Sequence, residues 1–216
     1  MDIQVRRFYL AMVFPGMFLL LLWLIKLTEI ALGIDFSTLG IYPLRTSSLI
    51  GIVASPLLHG NLDHLVANSA TLFILFTALF YFYPPVAWRV FIFVYLSTGL
   101  WVWFGGRAGY HIGASGIIYG LAAFLTVSGM IRNHVRFMAL AMIVIFLYGG
   151  MLWGLLPGQP GISWESHLLG GVAGVVMALF FRKTQIGQPL PLFSDFSEIE
   201  DDDGGLPWQS TEEEQG

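Results

Sequence analysis

The chain has 216 residues, 56% of them hydrophobic and 11% charged, and its mean hydropathy is +0.73; a soluble domain carries about a quarter charged residues, so a water-soluble globule is excluded. The formal net charge of −4 hides an asymmetry: nine of the fourteen acidic residues follow Thr184, and the part before them is net basic by five. With no cysteine, disulfides, thiolate metal sites and a cysteine nucleophile are excluded too.

Apolar runs long enough for a hydrocarbon core of about 30 Å recur along the chain. They predict an all-α polytopic membrane protein with six spans at about 8–28, 64–83, 86–104, 115–131, 135–156 and 166–182. The first run is too long for a signal peptide's apolar region and has no small-x-small cleavage site, so it is expected to remain as a span. The stretch 29–63 is too long for a simple connector and is expected to hold short interfacial helices or a re-entrant piece. Pro84–Pro85 separates the second and third spans, because proline lacks the backbone donor that a helix interior uses. "RNHVR" separates the fourth and fifth spans, and "LPGQPGIS" the fifth and sixth.

Orientation follows from the basic residues. With the N-terminus cytoplasmic, Arg6, Arg7, Arg89, Arg132, Arg136, Arg182 and Lys183 lie inside, whereas only Arg45 and Arg107 fall in outer loops. Lys26 is expected to snorkel from the outer end of the first span. Residues 1–183 are read as a six-helix membrane domain, and 184–216 as a disordered acidic cytoplasmic tail.

Polar groups in a span are costly, so each is a functional candidate. Four stand at the outer ends of their spans: His64 and Asn68 in "HGNLDHLVANS", Ser115 in "GASG", and His167 in "SHLLGGVAG". Counted outward from Arg132 and Arg182, Ser115 rises about 26 Å and His167 about 22 Å, a shared level below the outer surface. A serine becomes a nucleophile beside a base, which His167 can supply. The N–H of Ser115 at a helix start, with side-chain donors from His64 and Asn68 four residues apart on one face, can hold a developing oxyanion. Gly116 and Gly120 on one span, with Gly170 and Gly174 on another, form small-xxx-small faces that let two backbones approach closely. Taken singly, such a serine glues helices, such a histidine is interfacial and such glycines only pack. Four polar groups at one depth favour chemistry. Arg107 and His111 are expected to be solvated, Glu165 to favour the start of the last span, and His134 to sit on the opposite side.

At these residues the chain resembles the rhomboid family of intramembrane serine proteases. The resemblance rests on G-x-S-G as Gly113 to Gly116 with Tyr119 four residues beyond Ser115, on H-x-x-x-N as His64 to Asn68 with His59 upstream, and on H-x-x-G-x-x-x-G as His167, Gly170 and Gly174. It implies a six-transmembrane-helix rhomboid-like bundle and a Ser115–His167 dyad without an acidic third member. It further implies an oxyanion site from Ser115, His64 and Asn68, with Tyr119 packed beside the His167 ring and His59 bonding within the outer loop. No cofactor and no metal are implied. The expected partners are transmembrane protein substrates and the lipid bilayer, not nucleic acid, and the expected location is a bacterial cytoplasmic membrane with the site opening outward. A catalytically silent rhomboid-like binding or quality-control factor is the alternative, and such a protein is expected to lack the Ser or the His. A transporter would need ionisable or amide groups along a path to the inner side, and the inner halves of these spans hold no acidic, histidine, asparagine or glutamine residue. The H-E-x-x-H pattern of metalloproteases does not occur.

Overall fold

The computed structural model of the chain describes residues 3–157 and 161–186. The acidic stretch expected to form a tail, 187–216, lies outside the described residues, as do 158–160 of the loop "LPGQPGIS". The described residues are helical: α1 (Ile3–Leu32), the short α2 (Gly51–Ala54), α3 (Leu62–Phe82), α4 (Ala87–Gly105), α5 (Ser115–Ile131), α6 (Val135–Tyr148) and α7 (Trp164–Phe180), with 3-10 turns between them. No strand occurs among these residues, and the one isolated bridge pairs Ile41 with His111. Four segments are long and apolar enough to cross a membrane by length and composition: α1, α3, α4 and Val135–Leu155. α5 and α7 are apolar but shorter. The stretch 29–63 holds short helical turns at Ser37–Leu39, Thr46–Ser48, Gly51–Ala54 and Ser55–Leu57, in keeping with its expected interfacial helices.

Helix α5 is the centre of the described helices, with ten of its seventeen residues buried and with packing against α3, α4, α6 and α7. Its contact with α7 depends on glycine. A Cβ on Gly170 would fall on the Gly116 carbonyl, and one on Gly174 on the Gly120 carbonyl. These missing side chains let the two backbones touch. On the other side, α1 packs on α3 through an aromatic group in which Phe14 lies 5.4 Å from Phe76 and 4.6 Å from Trp88. At the far end from Ser115, Arg132 at the C-terminus of α5 donates to Phe181 O (2.7 Å), Thr184 O (2.9 Å) and Ser128 Oγ (3.1 Å). It thereby ties the end of α5 to the segment that follows α7. Large apolar side chains such as Phe146 (88% exposed) and Phe180 (75%) point outward, as suits hydrocarbon and not water.

The fifth predicted span, 135–156, is matched by the apolar segment Val135–Leu155, within which α6 ends at Tyr148 and the chain continues as a 3-10 turn over Gly149–Leu155. The Gly149–Gly150 pair explains the switch, since glycine weakens an α-helix interior by about 1 kcal/mol relative to alanine. Lys26 does not snorkel. It is 7% exposed, and its ammonium bonds Glu29 Oε2 (2.8 Å), His59 O (2.9 Å) and Gly60 O (3.3 Å). Three acceptors replace its water shell, which makes burial of the charge tolerable.

Candidate active site

The site is built where the loop before α5 meets the first turn of α7. The loop reaches α5 through Gly113, whose φ of +112° suits a residue without Cβ and whose N–H donates to Ser55 O (2.8 Å). Ser115 is then the first residue of α5, so its N–H is among those that a helix start leaves without an intrahelical acceptor. His167 is the fourth residue of α7, and the Ser163 hydroxyl caps that helix by accepting from Ser166 N–H.

The two side chains meet. His167 Nε2 lies 2.8 Å from Ser115 Oγ, and Nδ1 lies 2.9 Å from Gly154 O. A carbonyl oxygen only accepts, so Nδ1 carries the proton of the neutral ring and Nε2 is left to accept from the serine hydroxyl. The Tyr119 ring stacks on the imidazole with centroids 4.1 Å apart and planes 10° apart, and its hydroxyl donates to Met151 O (2.5 Å). Both residues are buried, Ser115 at 9% and His167 at 7% exposure.

Asn68 is buried and its Nδ2 lies 3.1 Å from His59 Nε2, which leaves the second amide hydrogen for another acceptor. His64 is held at the start of α3, where its backbone N–H donates to Asn61 Oδ1 (2.8 Å), and its ring lies edge-on to His59 with centroids 5.3 Å apart. His59 thus bonds onto α3 and not only within the outer loop. A cavity of about 860 Å³ is bordered by Ser115, His167, His64, Asn68, Tyr119 and Met151. It brings the dyad and the expected oxyanion donors to one open space. Among the described residues no group of three His, Cys, Asp or Glu could hold a metal ion.

Several contributors were not read from the sequence. A Cβ on Gly154 would collide with the Tyr119 hydroxyl and approach His167 Nδ1, so glycine is needed where the backbone acceptor meets the ring. Its only sequence signal is one more glycine in an apolar run. His111, expected to be solvated, is 4% exposed; its Nε2 donates to Arg107 O (2.9 Å) and its Nδ1 lies 2.6 Å from Ser163 Oγ. Glu165 is not only a charge at a helix start. It is 5% exposed, and its Oε1 accepts from Arg107 N–H (3.3 Å).

Several apolar helices long enough to cross a membrane mark an integral multi-pass membrane protein. The rhomboid domain model matches residues 46–184, and the chain belongs to the rhomboid family, whose members are in general intramembrane serine proteases. The chain is 39% identical to uncharacterized proteins of Mycobacterium bovis and Mycobacterium tuberculosis over 171 residues, which cover 74% of this chain and 71% of each relative. It is 36% identical to an uncharacterized protein of Mycobacterium leprae over 182 residues, covering 78% and 72%.

Proposed function

We propose that this protein is an intramembrane serine endopeptidase that cuts transmembrane segments near the outer face of the membrane. The observation that carries the reading is the pair of hydrogen-bond partners on His167, Ser115 Oγ at 2.8 Å and Gly154 O at 2.9 Å. That arrangement readies Nε2 as a base without a carboxylate behind the ring. Ser115 Oγ attacks the peptide carbonyl carbon while its proton passes to His167 Nε2, and the resulting imidazolium keeps its Nδ1–H on Gly154 O. The oxyanion is held by the Ser115 N–H with Asn68 and His64. His167 then gives its proton to the leaving amine. In the second half His167 takes a proton from a water that attacks the acyl carbon, and returns it to Ser115 Oγ as the C–Oγ bond breaks and the acyl group leaves as a carboxylic acid.

The proposed topology has six spans with α5 and α7 as the fourth and sixth, the N-terminus cytoplasmic and the cavity facing outward. Seven basic residues on the inner side against two outside support it. The mycobacterial relatives support a bacterial cytoplasmic membrane. Residues 1–183 form the catalytic membrane domain in this reading. The silent binding factor is disfavoured because both Ser115 and His167 are present and in contact.

The test is cleavage of a single-span substrate by purified protein in detergent. Ser115→Ala and His167→Ala each lower kcat by roughly 10⁴–10⁶-fold, and the double variant is no worse, because the pair acts as a unit. A fluorophosphonate labels the wild type at Ser115 and not the His167→Ala protein. Wild-type turnover by Ser115→Ala ends the protease reading.

A further inference from the structure

Two short segments lead into the dyad, 106–113 into Ser115 and 161–166 into His167, and they are joined to each other. Arg107 Nη2 donates to Ile162 O (2.5 Å), Arg107 Nε lies 3.6 Å from Glu165 Oε1, and the Arg107 backbone N–H donates to the same oxygen (3.3 Å). His111 Nε2 donates to Arg107 O, so in the neutral ring Nδ1 accepts from Ser163 Oγ, which caps α7 and lies 2.7 Å from Ser166 Oγ. Ile41 pairs with both backbone groups of His111, at 2.8 and 3.0 Å, so this segment is also anchored from behind. The Glu165 side chain is buried and its Oε2 has no hydrogen-bond partner, a costly arrangement for a residue that merely favours a helix start.

We propose that Arg107, Glu165 and His111 form an outer latch that seats the start of α7 against the lead-in to α5, which makes them positioning residues for Ser115 and His167. The inference rests on the protease reading. The glycine contacts of α5 and α7 fix how closely the helices approach. They do not fix the course of the two lead-in segments, and a displacement of about 1 Å at a reacting pair can cost roughly 10²-fold in rate. With no carboxylate behind His167, its ring orientation depends on the seat of α7, on Tyr119 and on Gly154. Arg107 is half-exposed, so its ion pair alone contributes little. The holding is shared by the buried carboxylate, the Arg107–Ile162 bond and the His111–Ser163 bond.

The experiment uses the full chain in detergent with Glu165→Gln, Arg107→Ala and their combination. Glu165→Gln preserves size and an acceptor oxygen while removing the charge. Each single variant is expected to lower kcat about tenfold with KM within about twofold, and the double is expected to be no worse than the worse single, as for residues acting together. The conformational readout is independent of turnover. The chain has no cysteine, so nitroxides on Ala108→Cys and Leu168→Cys, both exposed positions, report the distance between the segments; a narrow distribution broadens in each variant. An unchanged distribution in Glu165→Gln, additive losses, or a loss confined to KM overturns the latch. A wild type that cleaves nothing refutes the protease reading instead, and the distance distribution alone then decides whether the latch holds the segments. If Arg107→Ala fails to fold, Glu165→Gln carries the same decision.

Discussion

A neutral imidazole accepts a proton only through the nitrogen that lacks one, so the partner of the other nitrogen decides what the ring can do. At His167 a backbone carbonyl takes Nδ1–H and turns Nε2 toward Ser115. At His59 the accepting nitrogen faces the Asn68 amide, and the ring stays neutral. Burial, reinforced by charge on neighbouring His64 and Lys26, pushes its pKa from the ordinary 6.5 down to about 4. The unfolded chain therefore binds a proton that the folded one refuses between those values. The stabilisation is complete above pH 6.5 and is lost as the pH falls toward about 4. Glutamine accepts from Asn68 without titrating. Melting in detergent across this window is expected to show the midpoint of the wild type falling more steeply than that of His59→Gln, and equal slopes would remove His59 as the cause. Ser115, His167, Asn68 and Tyr119 were legible as side chains at motif spacings. The acceptor behind His167 was not, because any residue carries a carbonyl and nothing in its identity announces where that carbonyl points.

Between elements, the contact of α5 with α7 is governed by which glycines face it. The spacing of Gly116, Gly120, Gly170 and Gly174 announced that contact, and the structure brings their backbones together. The same spacing says nothing about Gly171, which has open space around the position of a Cβ. A pair of substitutions separates packing from helix propensity, since alanine favours either helical position by about 1 kcal/mol. Gly171→Ala is expected to leave the melting temperature and turnover near wild type or slightly raised. Gly170→Ala forces a methyl group onto the Gly116 carbonyl, a backbone atom that cannot turn aside, and overpacking of this kind costs about 1–3 kcal/mol. Its melting temperature drops, and turnover drops with it because the widened gap parts Ser115 from His167. Equal melting of the two variants would mean that the close approach is not needed. The end of α6 was less legible. Hydropathy runs unbroken from 135 to 156, so an apolar run hid the change to a 3-10 turn that aims Met151 O and Gly154 O at Tyr119 and His167.

For the whole molecule, the all-helical, membrane-spanning class was legible because a bilayer imposes length and apolarity on whatever crosses it. The ties formed by Lys26 and Arg107 were not, because their acceptors include backbone oxygens 33 to 55 residues away. The proposed reaction places a demand on its substrate. A peptide bond inside a membrane helix has both its polar groups paired, and leaving them unpaired in lipid costs several kcal/mol. In the proposed reaction Ser115 reaches the carbonyl carbon only after the substrate helix has opened locally. The cavity lined by Asn68, His64 and Ser115 offers polar partners to the opened strand. Under the proposed reaction, substrates that unwind cheaply near the outer face are expected to be preferred: glycine weakens a helix by about 1 kcal/mol and proline by about 3 relative to alanine. The expected substrate is a single-span protein with a Gly-, Pro- or Ala-rich stretch in the outer part of its span. Replacing that stretch by leucines in a well-cleaved substrate, with enzyme and substrate together in liposomes, is expected to slow cleavage at least about tenfold, the equivalent of roughly 1.4 kcal/mol of added helix stability. Restoring one glycine next to the bond should recover part of the rate. An all-leucine substrate cut as fast and at the same bond would mean that no helix is opened, and that the scissile bond meets Ser115 outside the membrane.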